Sequence, residues 1–292
     1  MPKGSWDSHN HVTDPIRYPP IPDSAYVPGV HTIWDQAIFE HGIGCEHTVM
    51  IQPSLYGTDN SMLLDSLTAI GPDRGRGVVV FDVNNITDAE LEHWHTLGVR
   101  GVRINFVSND EVPVAEDLQE DLRAFANVVK GLGWVIQLYI DMEYIPFIEP
   151  VVPDLGVQVV LDHFGNPELP EPQSNCSRNS YDPYSLKGFS SMVNLLNQGN
   201  TWVKVSGPYR LSKLPGPIYE DLDPVALELF RIAPSKLVYA SDWPHTRFEG
   251  LDIKPWTSHI LDLTEGDQDV REKLFRDNAV RLWSGGVNET VH

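Results

Sequence analysis

The chain has 292 residues, 41% of them hydrophobic and 10% aromatic, enough to bury a sizeable core in one large domain or two small ones. Its 21 basic and 41 acidic side chains leave a net charge of −20, a field that repels nucleic acid, acidic membranes and small anions. An anionic substrate therefore needs a local cluster of arginines.

The start, MPKGSWDSHNH, has no apolar signal core, and no run reaches the roughly 18 apolar residues of a membrane span. Cys45 and Cys176 make no disulfide framework. The expectation is a cytoplasmic protein whose sequons at Asn85, Asn175 and Asn288 go unused.

Short runs rich in Val and Ile read as eight strands in chain order: 5–12, 47–53, 77–83, 101–107, 134–140, 157–164, 201–207 and 237–243. Several are nearly continuous in apolar residues, as strands buried on both faces should be. Helical patterns fall between them. IWDQAIFEHGIG begins at Ile33, and TDAELEHWHTLG opens with Thr87 and Glu90 in capping-box spacing and stops at Gly98. EDLQEDLRAFANVVKGLG puts Leu118, Leu122, Phe125, Val129 and Leu132 on one face, and LKGFSSMVNLLNQG follows the same pattern.

Strands alternating with helices over most of the chain predict an α/β fold, a single (β/α)8 TIM barrel spanning residues 1–292. A doubly wound sheet is the alternative, but it would usually carry a Gly-rich phosphate turn after an early strand, whereas GPDRGRG precedes its strand. The connections 13–30, 165–184 and 208–222 are long and polar or Pro-rich. Each follows a strand, so each is expected at the C-terminal mouth where barrel enzymes build their sites. Pro15, Pro19, Pro20, Pro22 and Pro28 make the first a semi-rigid wall.

In a buried strand the informative residues are the polar ones. His9 and His11 end the first strand and, at i and i+2, share a face. Arg103 and Asn105 repeat that spacing in the fourth strand, and Gln137 and Tyr139 in the fifth. The sixth ends in Asp162 and His163, the seventh carries Lys204 and Ser206, and the eighth leads to Asp242 and His245. Convergence of these ends on one mouth predicts a catalytic site. Lys204 is expected to pack or pair inside the barrel. His31, His41, His93, His95, His259 and His292 fall outside the strand ends and read as structural.

DSHNH in the first strand, LDHFGNP in the sixth, VKVSGPYR in the seventh and ASDWPH in the eighth together resemble the amidohydrolase superfamily. The pattern is most similar to its amidohydrolase-related branch of 2-pyrone-4,6-dicarboxylate lactonase-like hydrolases, and QPSLYGTDN and GRGVVVFDV also match that group. The resemblance covers nearly the whole chain. It implies a barrel with His9, His11, His163 and Asp242 in the site. In many members such residues bind one or two divalent metals.

A bridging Lys or Glu on strand 4 marks binuclear centres, but here that strand offers Arg103 and Asn105. Mononuclear members usually have a strand 5 histidine, where this chain has Gln137 and Tyr139. The pyrone-dicarboxylate lactonases work without metal, their histidines polarising the lactone carbonyl. The resemblance therefore implies either no cofactor or one divalent ion, Zn²⁺ above others, on His9, His11, His163 and Asp242.

In that lactonase an arginine three residues after the strand 6 histidine helps to hold a substrate carboxylate. Asn166 stands there in this chain, and a neutral amide cannot grip a carboxylate bidentately. Arg103, Tyr139 and Arg210 remain as anion contacts, with Gln137 and His245 as further lining.

The expected activity is hydrolysis of a lactone or related activated ester, with Asp242 as general base and the histidines opposite the carbonyl oxygen. The expected partner is a small molecule with a carboxylate or phenolic oxygen. Alternatives are metal-dependent non-oxidative decarboxylation of an aromatic or enoic acid, and a non-catalytic small-molecule binder.

Overall fold

The computed structural model describes residues 1–22, 24, 26–109, 111–172 and 181–284. Cys176, His292 and the sequons at Asn175 and Asn288 lie outside the described residues; Cys45 is buried and unpaired. Eight parallel strands follow one another in chain order: β1 (Trp6–Asn10), β2 (His47–Ile51), β3 (Gly75–Val79), β4 (Val99–Asn105), β5 (Val135–Tyr139), β6 (Val159–Leu161), β7 (Thr201–Val205) and β8 (Leu237–Tyr239). Helices run between them, the (β/α)8 arrangement expected from the sequence. No helix among the described residues is long and apolar enough to cross a membrane.

The alternation of side chains sorts two cores. Val49, Ile51, Val78, Val160 and Val238 point into the barrel, where Trp6, Trp202 and Trp283 join them. Their neighbours Met50, Val79, Val159, Leu161, Leu237 and Tyr239 face outward against the helices. The helices start as their sequences direct. Thr32 and Thr87 each accept from the backbone N–H three residues on and donate their own backbone N–H to the Asp35 or Glu90 carboxylate, so the helices Ile33–Ile43 and Asp88–Leu97 both open with capping boxes.

Three strands depart most from the expectation. β3 begins within the glycine-rich run, because Gly77 packs under the helix Ser61–Ile70, where a Cβ would meet Leu67 at 2.7 Å. β6 and β8 are only three residues long. His163 and Asp242 sit beyond their ends with φ of 48° and 61°, left-handed backbone that breaks the ladder.

The seam between β1 and β8 closes at the mouth. Asp242 N–H donates to the His9 carbonyl (2.9 Å), and His11 N–H donates to the Trp243 carbonyl (2.7 Å). Below them the buried Asp7 carboxylate accepts from the Ser241 backbone N–H at 2.8 Å and from the Ser241 hydroxyl. Ser241 Oγ in turn accepts from Trp243 N–H at 3.0 Å.

Ser241→Ala removes a donor from a buried carboxylate and an acceptor from a buried N–H, and should cost about 1–3 kcal/mol of stability. Denaturant unfolding measures this; a variant as stable as the parent would contradict the assigned role of this hydroxyl.

Candidate active site

β1 presents His9 and His11 on its inward face, and the turn after β6 brings His163 beside them. The His9 and His163 rings lie 4.9 Å apart. Gly207 makes room for His163, since a Cβ there would come within 2.7 Å of its Nδ1. Ser206 Oγ lies 2.8 Å from the same nitrogen. Asp242 faces all three imidazoles: its Oδ1 is 3.7 Å from Nε2 of both His9 and His11, and its Oδ2 is 3.8 Å from His163 Nε2.

The two oxygens of Asp242 are treated differently. Oδ2 accepts from Tyr209 OH at 2.6 Å and Arg210 Nε at 2.7 Å. Oδ1 is buried with no hydrogen-bond partner. Burial pushes this carboxyl up, but Arg210 and the three histidines outweigh it and hold the group well below the usual carboxylate range. Asp242 is thus an anion with one oxygen free. Burial drives His11 and His163 the other way, down to about 4, so both are neutral near pH 7.

A second charged layer lies beneath. Asp162 is fully buried among His9 Nδ1 (3.3 Å), Lys204 Nζ (3.3 Å) and Arg103 Nη2 (3.5 Å), and accepts from Gln137 Nε2 at 2.9 Å. Lys204, which burial lowers to about 8, donates to Gln137 Oε1 at 2.6 Å and lies 3.2 Å from His9 Nδ1.

These partners constrain the tautomers. His9 Nδ1 lies between the Lys204 ammonium (3.2 Å) and the Asp162 carboxylate (3.3 Å); where Lys204 donates to it, His9 carries its proton on Nε2 and donates to His11 Nε2 at 3.1 Å. His11 then donates from Nδ1 to the Ile51 carbonyl at 2.8 Å. With the Ser206 hydroxyl donating to His163 Nδ1, the His163 Nε2–H is left unspent and faces the pocket.

The pocket above this layer is small, about 80 Å³, and is lined by His11, His163, Asp242, Arg103, Tyr139 and Arg210 from the sequence reading. Tyr26, Ser54, Ser108, Thr246 and Arg247 also line it and were not anticipated. The proline-rich wall supplies Tyr26, and the pairing of strand 1 with strand 8 brings Arg247 opposite. That juxtaposition has no local signal in the sequence.

His9 and Gln137 are fully buried beneath the pocket. Asn166 bounds an adjoining chamber of about 610 Å³ and donates to Asp141 at 2.5 Å. His245 packs edge-on against Phe39 and Tyr209 behind Asp242. Of the histidines assigned to structure, His95 accepts from Trp134 Nε1 at 2.9 Å and His259 pairs with Asp223 at 2.7 Å.

His9, His11 and Asp242 could hold one metal ion. Their Nε2, Nε2 and Oδ1 atoms are separated by 3.1, 3.7 and 3.7 Å, close to the roughly 3.3 Å edge of a tetrahedral zinc site. The orphaned Oδ1 suits a ligand role; an ion on His9 Nε2 would require the ring proton on Nδ1, where the Asp162 carboxylate, 3.3 Å away, would accept it and orient the imidazole. His9, Asp162 and His163 form a second group of potential ligands, but the Lys204 ammonium already contacts two of its members. Residues and charge thus fit one ion.

The family model for amidohydrolases matches residues 6–285. The chain is 28% identical to the 2-pyrone-4,6-dicarboxylate hydrolase of Comamonas testosteroni, over 97% of this chain and 91% of that protein. It is likewise 28% identical to the 4-sulfomuconolactone hydrolase of Hydrogenophaga intermedia, over 97% and 89%. Among solved structures, a probable 2-pyrone-4,6-dicarboxylic acid hydrolase from Acinetobacter baumannii with citric acid bound superposes with a TM-score of 0.77 at 25% identity, covering 96% of this chain and 99% of that one.

The buried imidazoles make stability pH-dependent. His11, His163 and His245 take up protons near pH 6.5 in the unfolded chain but only at about 4 when folded. At these three sites the unfolded state binds more protons between those values, so their contribution to stability should be level above pH 6.5 and fall progressively from there toward pH 4. Titration of the imidazoles by NMR checks the assignment; protonation of all three near pH 6.5 in the folded protein would contradict it.

Proposed function

The chain belongs to the amidohydrolase family, and from that membership and the site geometry we propose that it hydrolyses a lactone or related cyclic ester. The observation that carries the reading is the buried, ionised Asp242 with Oδ2 saturated and Oδ1 free, beside the His163 imidazole, whose Nε2 carries the proton when the Ser206 hydroxyl donates to Nδ1. A base must be ionised and within reach of water, and an oxyanion donor must face the position where charge develops.

In the proposed reaction Asp242 Oδ1 takes a proton from water as the water oxygen bonds to the lactone carbonyl carbon. The carbonyl oxygen becomes an oxyanion and accepts from His163 Nε2–H. Collapse breaks the ring C–O bond, and the proton on Asp242 passes to the departing oxygen, giving a hydroxy acid. His11 holds its ring by the bond to Ile51 and flanks the base. Tyr139 stands edge-on to His163 at 4.9 Å and keeps that ring in line. Arg210 and Tyr209 hold the Asp242 carboxylate in one orientation. A divalent ion on His9, His11 and Asp242, when bound, would supply Lewis-acid polarisation and a more acidic water.

Ring opening is preferred to decarboxylation because the similar curated proteins named above are lactone hydrolases. A non-catalytic binder is disfavoured because a buried carboxylate with one unsatisfied oxygen is costly to keep unless it is used.

Asp242→Asn should lower kcat for lactone opening by about 10²–10⁴-fold, the range of general-base catalysis, while the fold persists. Initial rates of ring opening together with far-UV circular dichroism test this. Full activity in the folded variant would remove Asp242 as the base.

A further inference from the structure

Three guanidinium groups line the reaction pocket, and two are committed to the protein's own carboxylates. Arg103 lies 3.5 Å from Asp162 and donates to the Gln52 carbonyl at 3.3 Å. Arg210 binds Asp242 through Nε at 2.7 Å, and its Nη2 reaches Thr246 at 3.4 Å. Arg247 is different. It makes no ion pair among the described residues, and its guanidinium lies 4.6 Å from the Tyr26 ring centroid. Its backbone has a φ of 73°, in the left-handed region that glycine adopts most readily. The pocket is thus bounded by a long cationic side chain resting on an aromatic face, its charge uncompensated by any ion pair among the described residues.

We infer that Arg247, seated on Tyr26, is the specificity-determining residue that holds a carboxylate substituent of the substrate, so that the preferred lactone carries one such group beside the scissile ring. The inference rests on the proposed lactone hydrolysis and adds the substrate's charge. In a chain of net charge −20 an anion is repelled until it meets a cation that is not already neutralised. Of the three arginines, Arg247 alone meets that condition, and its planar fork suits a carboxylate.

The other direction out of the pocket is unfavourable to an anion. The chamber beyond Arg210 is walled by Asp141, Glu143, Glu168 and Glu171. Its two lysines lie near acids, Lys187 3.6 Å from Glu143 and Lys213 4.0 Å from Glu171. At Asn166 that wall offers an amide already bonded to Asp141. Charge recognition is thus shifted to Arg247 in the loop after β8, which lines the reaction pocket and not this chamber.

The test compares two γ-lactones that differ only in the substituent, 5-oxotetrahydrofuran-2-carboxylate and the neutral γ-valerolactone. Arg247→Met should raise KM for the carboxylate by about tenfold or more while kcat changes less than about twofold, and Arg247→Lys should recover part of the loss. For γ-valerolactone kcat/KM should change less than about twofold. Equal losses on both lactones, or an unchanged KM for the carboxylate, would overturn the assignment.

Calorimetric titration with citrate separates this inference from the reading beneath it. The unsubstituted protein should bind citrate at least about tenfold more tightly than the Arg247→Met variant. Equal or absent citrate binding in the two overturns the role of Arg247, whatever lactone turnover shows. Retained citrate discrimination with no hydrolysis of either lactone overturns lactone hydrolysis alone.

Discussion

Two backbone hydrogen bonds, Asp242 N–H to the His9 carbonyl and His11 N–H to the Trp243 carbonyl, close the barrel at its mouth. Both involve residues of the candidate site, so the closure of the sheet and the placement of His9, His11 and Asp242 are one constraint. β8 itself ends at Tyr239, and the chain beyond it reaches β1 only by leaving extended geometry, with Asp242 at a φ of 61°. A non-glycine residue in that conformation costs about 1–2 kcal/mol. The seam bonds and the Asp7–Ser241 contacts below them offset that cost and keep the carboxylate aimed at the histidines.

The second organising feature is the handling of buried charge. Removing one partner from a buried ion pair typically costs about 3–5 kcal/mol, so each carboxylate here has a fixed complement. Asp162 is surrounded by Lys204, Arg103, Gln137 and His9, and Asp242 by Arg210 and Tyr209. The lower layer holds His9 by its Nδ1, between Lys204 and Asp162, while His11 is held by the Ile51 carbonyl. The upper layer saturates one oxygen of Asp242 and leaves the other without a hydrogen-bond partner among the described residues. Lys204 and Asp162 thus both contact His9, which in turn lies 3.1 Å from His11.

Much of this was legible in the sequence. The apolar runs marked all eight strands, the Thr87–Glu90 spacing marked a helix start, and polar residues at strand ends marked the mouth. What was not legible depended on contacts between distant segments. Nothing local to Lys204 indicates that it reaches His9 from across the barrel, or that Arg210 would be bound to Asp242. The inward face of a strand can be read from alternation, but depth within the barrel cannot, so Gln137 and Tyr139 looked equivalent although only Tyr139 lines the pocket. Arg247 was hidden for a similar reason: it follows the strand by several residues and becomes part of the site only because a left-handed turn and the proline-rich wall carrying Tyr26 meet over it.

The central claim is that water activated at Asp242 attacks a lactone carbonyl. Hydrolysis of a lactone substrate in ¹⁸O-labelled water tests it most directly. The account predicts one labelled oxygen per turnover, located in the new carboxylate, with an unlabelled hydroxyl and no CO₂ released. Label in the hydroxyl, or release of CO₂, would contradict it.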